Sequence, residues 1–238
     1  MEITSDSHVL WEGYGIRLNA TVFFTWVVMA VLVVGSWLIT RKLEATDAAS
    51  RWRTALEVIV VTIEGQIAEM MPGEQRRFIP FVGTLFLFIA VSNLLLVVPG
   101  FSPPTASLST TTALALCVLV SVPAFGVAER GVGGYLAQYL KPTILMLPFN
   151  VIGEFSRALA LAIRLYGNIM SGVVIAAILL GVAPLLFPVV MDLLALLTGM
   201  IQAYIFAVLA MVYIASAVGP PKLRDIQPVE SETLEEER

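Results

Sequence analysis

Cysteine and histidine are nearly missing from this chain of 238 residues: Cys117 and His8 each stand alone. One of each cannot build a disulfide framework or a zinc or haem ligand set, so no metal and no cofactor is expected. Charge is scarce as well, at 13% of residues, against roughly 25% in an ordinary soluble domain. With 58% hydrophobic residues and a mean hydropathy of +0.88, that shortage argues against a water-soluble globule. Positive charge is the minority sign, fourteen Lys and Arg against eighteen Asp and Glu. Much of the excess acid sits in Glu230, Glu232, Glu235, Glu236 and Glu237, so no nucleic-acid surface is implied. The chain also has no phosphate-cradling loop and no HExxH, and Ser156, before Arg157, has no histidine near it. Hydrolysis inside the membrane therefore finds no support, and the chain is not expected to be an enzyme by itself.

What is present is a series of long apolar runs. A bilayer core about 30 Å thick needs roughly 20 apolar residues per helix, because each backbone amide must find its partner within the segment. Runs over about 21–40, 78–98, 111–127, 145–180 and 188–218 qualify. The acidic flank of the first (Glu2, Asp6, Glu12) argues for a retained helix rather than a cleaved signal. Over 48–71, Leu56, Val60, Ile63, Ile67 and Met70 recur at helical spacing among charged residues, which predicts an amphipathic helix lying flat at the interface. The expected fold is an all-α membrane protein of five transmembrane helices plus that interfacial helix. The last two form a long, tilted hairpin. Residues 1–220 make a single membrane unit, and 221–238 an acidic, unstructured tail.

Lys and Arg in the connections set the orientation. Arg41, Lys42, Arg51, Arg53, Arg76, Arg77, Arg130, Lys141, Lys222 and Arg224 fall on one side, and only Arg17 on the other. The N-terminus is accordingly expected outside and the C-terminus in the cytoplasm.

Two basic residues remain in an apolar span, Arg157 and Arg164. An unpaired charge there costs from about 2.5 kcal/mol upward. Glu154 lies three residues before Arg157, a spacing that predicts an ion pair along the helix surface. Arg164 has Ala160 and Asn168 one turn either side, and neither supplies a counter-charge. Arginine does not deprotonate to escape the penalty, so its partner must come from a water-filled cavity, another helix or another subunit. Asn150, Glu154, Arg157, Arg164, Asn168 and Ser171 share one helical face, and Asp192, Thr198, Gln202, Tyr213 and Ser216 are the polar members of the last span. Gln202 and Arg164 lie about equally far from the turn at 181–187, so they are expected to face each other. The small residues Ala158, Ala160, Ala162, Gly167, Ser171 and Gly172 would let another helix approach closely. Together these features favour an ion path at a contact with another membrane subunit.

The segment PFNVIGEFSRALALAIRLYGNIMSG, Pro148 to Gly172, resembles the signature of subunit a of the F-type ATP synthases. IQAYIFAVLAMVYIASAV, Ile201 to Val218, is similar to that family's last helix, and SNLLLVVPGF and PTASLSTTTALAL extend the resemblance over most of residues 78–218. It implies the stator half of a rotary ion channel in a bacterial cell membrane, with a ring of c subunits, b subunits, the rest of the F1F0 complex and lipid as partners. It implies further that Arg164 is the family's essential arginine, Asn168 the asparagine after it and Gln202 the glutamine on the facing helix. Glu154 stands where many members have an acidic residue in one half-channel, and Arg157 where they usually carry Lys or another polar group.

Three positions depart from the pattern: members commonly carry Glu at Val173, His or Glu at Ala195, and Asp at Ser107. Asp192 is the candidate for the missing carboxylate, with a helix-terminal cap as its alternative. Losing titratable relays weakens the case for H+ and raises that for Na+. The rival readings are a secondary transporter or channel acting alone, against which the lack of a repeated half stands, and a structural membrane anchor.

Overall fold

A chain facing lipid must satisfy its own backbone amides, and apolar runs of this length do so as helices. The computed structural model describes residues 9–13, 16–41, 75–98, 101–140, 145–182 and 187–218, with Glu57, Val58, Val61, Thr62, Glu64 and Gly65. The described helices are α1 (Ala20–Arg41), α2 (Gln75–Leu94), α3 (Leu108–Tyr139), α4 (Met146–Val182) and α5 (Phe187–Val218). All five are long and apolar enough to cross a membrane, as an all-α membrane protein requires. Ahead of them two short antiparallel strands, β1 (Val9–Gly13) and β2 (Ile16–Asn19), form a hairpin that hydropathy does not announce. The tail over 221–238 lies outside the described residues. So does the flat helix over 48–71, apart from the six positions just named, which are helical and exposed.

Most hydroxyls in the spans are satisfied within their own helix. Thr25 donates to the Thr21 carbonyl, Ser92 to Phe88, Ser121 to Val118 and Thr198 to Leu194, each at 2.7 Å. Such back-bonding keeps a polar side chain from standing bare in an apolar setting. It carries no tertiary information, which makes the hydrogen bonds between helices the informative ones.

The core gathers α2, α3, α4 and α5. Leu85 and Ile89, Ala115 and Val118, Leu161 and Leu165, and Ala203 and Phe206 form one buried cluster, continued by a second that includes Phe78, Val122, Met211 and Ile214. On α5 the buried Ala203, Ala207, Ala210 and Ala217 let neighbouring helices come close. A close approach between helices falls at Gly199, where a Cβ would lie 2.8 Å from Asn93 Cγ. Glycine leaves room there for the buried Asn93 to donate through Nδ2 to the Gly199 carbonyl at 2.9 Å. By contrast α1 packs mainly on α2, and much of its surface, including Phe23, Trp26 and Trp37, is exposed.

Two irregular stretches shape the ends of α3. Before it, Pro103 to Ser107 is buried, with a 3-10 turn at Pro104–Ala106 that touches α1, α2, α3 and α4. Non-helical backbone at such a place is tolerated because protein surrounds it. Ser107 then caps α3, its Oγ accepting from the Ser109 amide at 3.3 Å. Beyond its middle, α3 runs on past the expected 111–127. The helix continues because Arg130 Nε donates to the Val218 carbonyl at 2.7 Å and Arg77 pairs with Glu129 at 2.6 Å. At Gly131 the backbone takes φ 73, ψ 163, a conformation that suits only glycine. The chain turns back there, so the Tyr135 ring covers Gly126, where a Cβ would lie 2.6 Å from it. In an unbroken helix nine residues would separate those two positions by about 13 Å.

Candidate functional site

The α4–α5 hairpin sets the register of the polar stripe. Asn168 Nδ2 donates to the Thr198 carbonyl at 3.4 Å, and a Cβ on Gly172 would meet Ala195 Cβ at 3.7 Å. One turn before Asn168 is Arg164, and one turn beyond Thr198 is Gln202. Antiparallel helices of equal rise therefore put Arg164 and Gln202 at one level. Gln202 is 6% exposed, and its Nε2 has no hydrogen-bond partner. Arg164 is exposed and makes no hydrogen bond or ion pair with any described residue. Around it α4 presents Ser156, Ala160, Gly167 and Ser171 outward, whereas Ala158 and Ala162 are buried inside the bundle. The small residues thus serve two faces, one closing the core and one forming a smooth outward strip with a cation on it.

Toward the N-terminal end of α4 a different arrangement holds. The ion pair expected between Glu154 and Arg157 is not formed: among the described residues the ion pair is Arg77–Glu129. Glu154 Oε1 accepts instead from the Tyr139 hydroxyl, and the Tyr135 and Tyr139 hydroxyls lie 2.7 Å apart. Tyr139 gives its one proton to the carboxylate, so Tyr135 is the donor to Tyr139. Asn150 Nδ2 donates to the Tyr139 carbonyl at 3.1 Å, fastening the end of α3 to the start of α4. Arg157 places its guanidinium 5.6 Å from the centroid of the Tyr213 ring, within the range of a cation–π contact. Glu154, Arg157 and Tyr213 border one cleft between α3, α4 and α5, floored by Val118, Val122 and Ala158. Sequence spacing singles out Tyr213 but misses Tyr135 and Tyr139. Their only sequence signal is two tyrosines four residues apart just ahead of the fourth span.

Beyond Arg164, toward the α4–α5 turn, charge is sparse. Val173 is partly buried against the core, and Ala195 faces the neighbouring Gly172 across the hairpin. Asp192 is exposed and sits past the first turn of α5, which holds no acidic residue, so it does not cap the helix. The buried polar groups here are neutral: Ser92, Asn93, Thr105, Ser107 and Thr111, with Thr105 Oγ1 lacking a partner.

Comparison with known proteins gives one answer throughout. The family described as ATP synthase A chain matches residues 22–215. ATP synthase subunit a 2 of Acaryochloris marina is 60% identical over 91% of this chain and 93% of its own length. ATP synthase subunit a of Albidiferax ferrireducens is 54% identical over 91% and 94%, and ATP synthase subunit a 1 of Chlorobaculum parvum 54% over 91% and 96%.

Proposed function

The chain belongs to the ATP synthase A chain family, and from that premise we propose that Arg164 is the fixed cation past which a rotor carries its ions. The protein is a multi-pass membrane subunit of the F1F0 ATP synthase complex, without a catalytic site of its own. Its partner at α4 and α5 is a ring of c subunits, with b subunits bracing it. A ring carboxylate arrives neutral, loaded with H+ or Na+, and loses that ion into one half-channel as it reaches Arg164. The guanidinium favours the ionised carboxylate, which passes as an anion and reloads from the other half-channel. The same fixed charge repels an ion that would leak straight between the two. One charge moved through 100 mV is worth about 2.3 kcal/mol, so several steps are summed by rotation for each ATP.

The observation that carries this reading is the Arg164 side chain, outward on a smooth strip of α4 with no counter-charge among the described residues. Asn168 lies one turn from it, and at its own level the buried Gln202 backs the strip with an amide Nε2 that has no partner among the described residues. Glu154 and Arg157 serve the half-channel toward the cytoplasm, and Asp192 with the neutral hydroxyls the one toward the outside. That assignment follows the excess of Lys and Arg on one side of the spans, with the N-terminus outside. Apolar groups at Val173 and Ala195 and a hydroxyl at Ser107 thin out the titratable chain and raise the case for Na+ beside that for H+, while the ring subunit mainly sets which ion is carried.

Arg164→Lys keeps a positive charge but allows deprotonation and loses the guanidinium fork. ATP-driven charge movement in vesicles holding the assembled complex is expected to fall by about tenfold or more, one donor to a charged partner being at stake. Pumping at the wild-type rate by that variant would defeat the assignment. Substrate flux through this chain reconstituted alone would instead favour an independent transporter.

A further inference from the structure

Two opposite charges three residues apart on a helix should find each other, yet Glu154 and Arg157 do not. Each is held by an aromatic residue from another part of the chain. The Tyr139 hydroxyl donates to the Glu154 carboxylate, and Tyr135 donates to Tyr139 from the same returned end of α3. On the other flank Arg157 lies over the Tyr213 ring of α5. The two charges border the same cleft and lie within electrostatic reach of each other, yet their side chains are engaged by these other partners.

The geometry around Tyr139 is built rather than incidental. The turn at Gly131 swings the end of α3 back, the missing side chain at Gly126 seats the Tyr135 ring, and Asn150 grips the Tyr139 carbonyl. A carboxylate neutralised by an adjacent guanidinium is a poor acceptor for a mobile cation, because an opposite charge already occupies it. One held by hydroxyl donors keeps its full negative charge and spare lone pairs.

We infer that Tyr139, backed by Tyr135, is a positioning residue that holds the Glu154 carboxylate away from Arg157 and so keeps it open to the ion leaving or approaching the rotor. The inference rests on the reading of Glu154 as part of a half-channel. Its further content is that Arg157 is a rival for Glu154 whenever the tyrosine hydroxyl is lost.

The test uses the assembled ATP synthase in inverted vesicles, with ATP-driven charge movement followed by a potential-sensitive dye, so that H+ and Na+ both register. Tyr139→Phe keeps the ring and removes the hydroxyl; charge movement is expected to fall about tenfold, the scale of one hydrogen bond to a charged group. Adding Arg157→Gln to Tyr139→Phe removes the rival. Because Arg157 serves the same half-channel, the double variant is measured against Arg157→Gln alone, and in that background Tyr139→Phe is expected to cost little, a rescue of the loss it causes beside Arg157. A merely structural tyrosine would give no such rescue, and absence of rescue overturns the inference. Should Tyr139→Phe fail to assemble, Tyr135→Phe with and without Arg157→Gln gives the same reading with a smaller fall, judged by the same rescue. Glu154→Gln in parallel separates the two levels. If it pumps normally, the half-channel reading of Glu154 fails and the inference with it. If it is impaired while Tyr139→Phe pumps like wild type, only the inference fails.

Discussion

The two ends of the α4–α5 hairpin solve the same problem differently. On the N-terminal side of Arg164, charges are kept and prevented from cancelling: Glu154 by tyrosine hydroxyls, Arg157 by a tyrosine ring. On the side toward the turn, charge is largely dispensed with, and amides and hydroxyls such as Asn93, Thr105, Ser107 and Gln202 fill the interior. Arg164 stands between them at the level of Gln202. The difference teaches that polar groups are accommodated in one bundle in two ways, as charges with separate partners and as buried neutral amides and hydroxyls. On the proposed reading an ion is guided by a carboxylate at the first end and by neutral oxygens and water at the second, and the fixed cation keeps the two regions from joining.

The strongest way to break that division is to remove the divider. Arg164→Ala is expected to abolish ATP-driven charge movement and let ions leak passively through the complex, both read in vesicles with a potential dye. A coupled, tight Ala variant would mean that the two ends are separated by something else.

Next in size is Gly131→Ala, which forces an alanine to φ 73. Strain of about 1–3 kcal/mol is expected, and the returned segment bearing Tyr135 and Tyr139 should be released. Pumping should fall and Glu154 should become reachable by a water-soluble carbodiimide. Unchanged pumping and labelling would show that the turn does not seat the tyrosines.

Asp192→Asn tests whether the sparse end depends on its one carboxylate. Charge movement is expected to slow by about threefold, less than one full charged hydrogen bond would give, and only when the ion is supplied at low concentration from the outer side. Equal rates at every outer ion concentration would leave that end wholly neutral. The smallest change is Thr105→Val. Its Oγ1 is buried with no partner, so replacing it by a methyl of similar shape should leave the melting of the purified complex unchanged or slightly raised. A loss of more than about 1 kcal/mol would reveal a bound water satisfying that hydroxyl.

The five apolar helices were legible in the sequence because hydropathy over twenty residues is a strong signal in a chain so poor in charge. The level of Gln202 is also open to counting from the turn, since a hairpin with a short connection has one register. The end of α3 was not legible. Glu129, Arg130, Gly131, Gly133 and Gly134 read as a loop, but a salt bridge to Arg77 and a hydrogen bond to the end of α5 hold the helix past Val127. Everything that depends on that end was hidden with it. Helical periodicity reports which residues of one helix are neighbours, so it pairs Glu154 with Arg157; it is blind to a tyrosine brought in by a reversal at Gly131. The strands β1 and β2 were missed for a related reason, four or five residues beside a charged flank giving no periodicity to read.

The seat of Asn93 against the bare backbone of Gly199 has a mechanical side. A turning rotor pushes sideways on whatever it brushes, and the recoil must be carried into the rest of the stationary frame. An amide dowel set in a notch that has no side chain resists sliding of α5 along α2 far better than greasy contact alone, so on the proposed reading the helix next to the moving part is keyed lengthwise to α2.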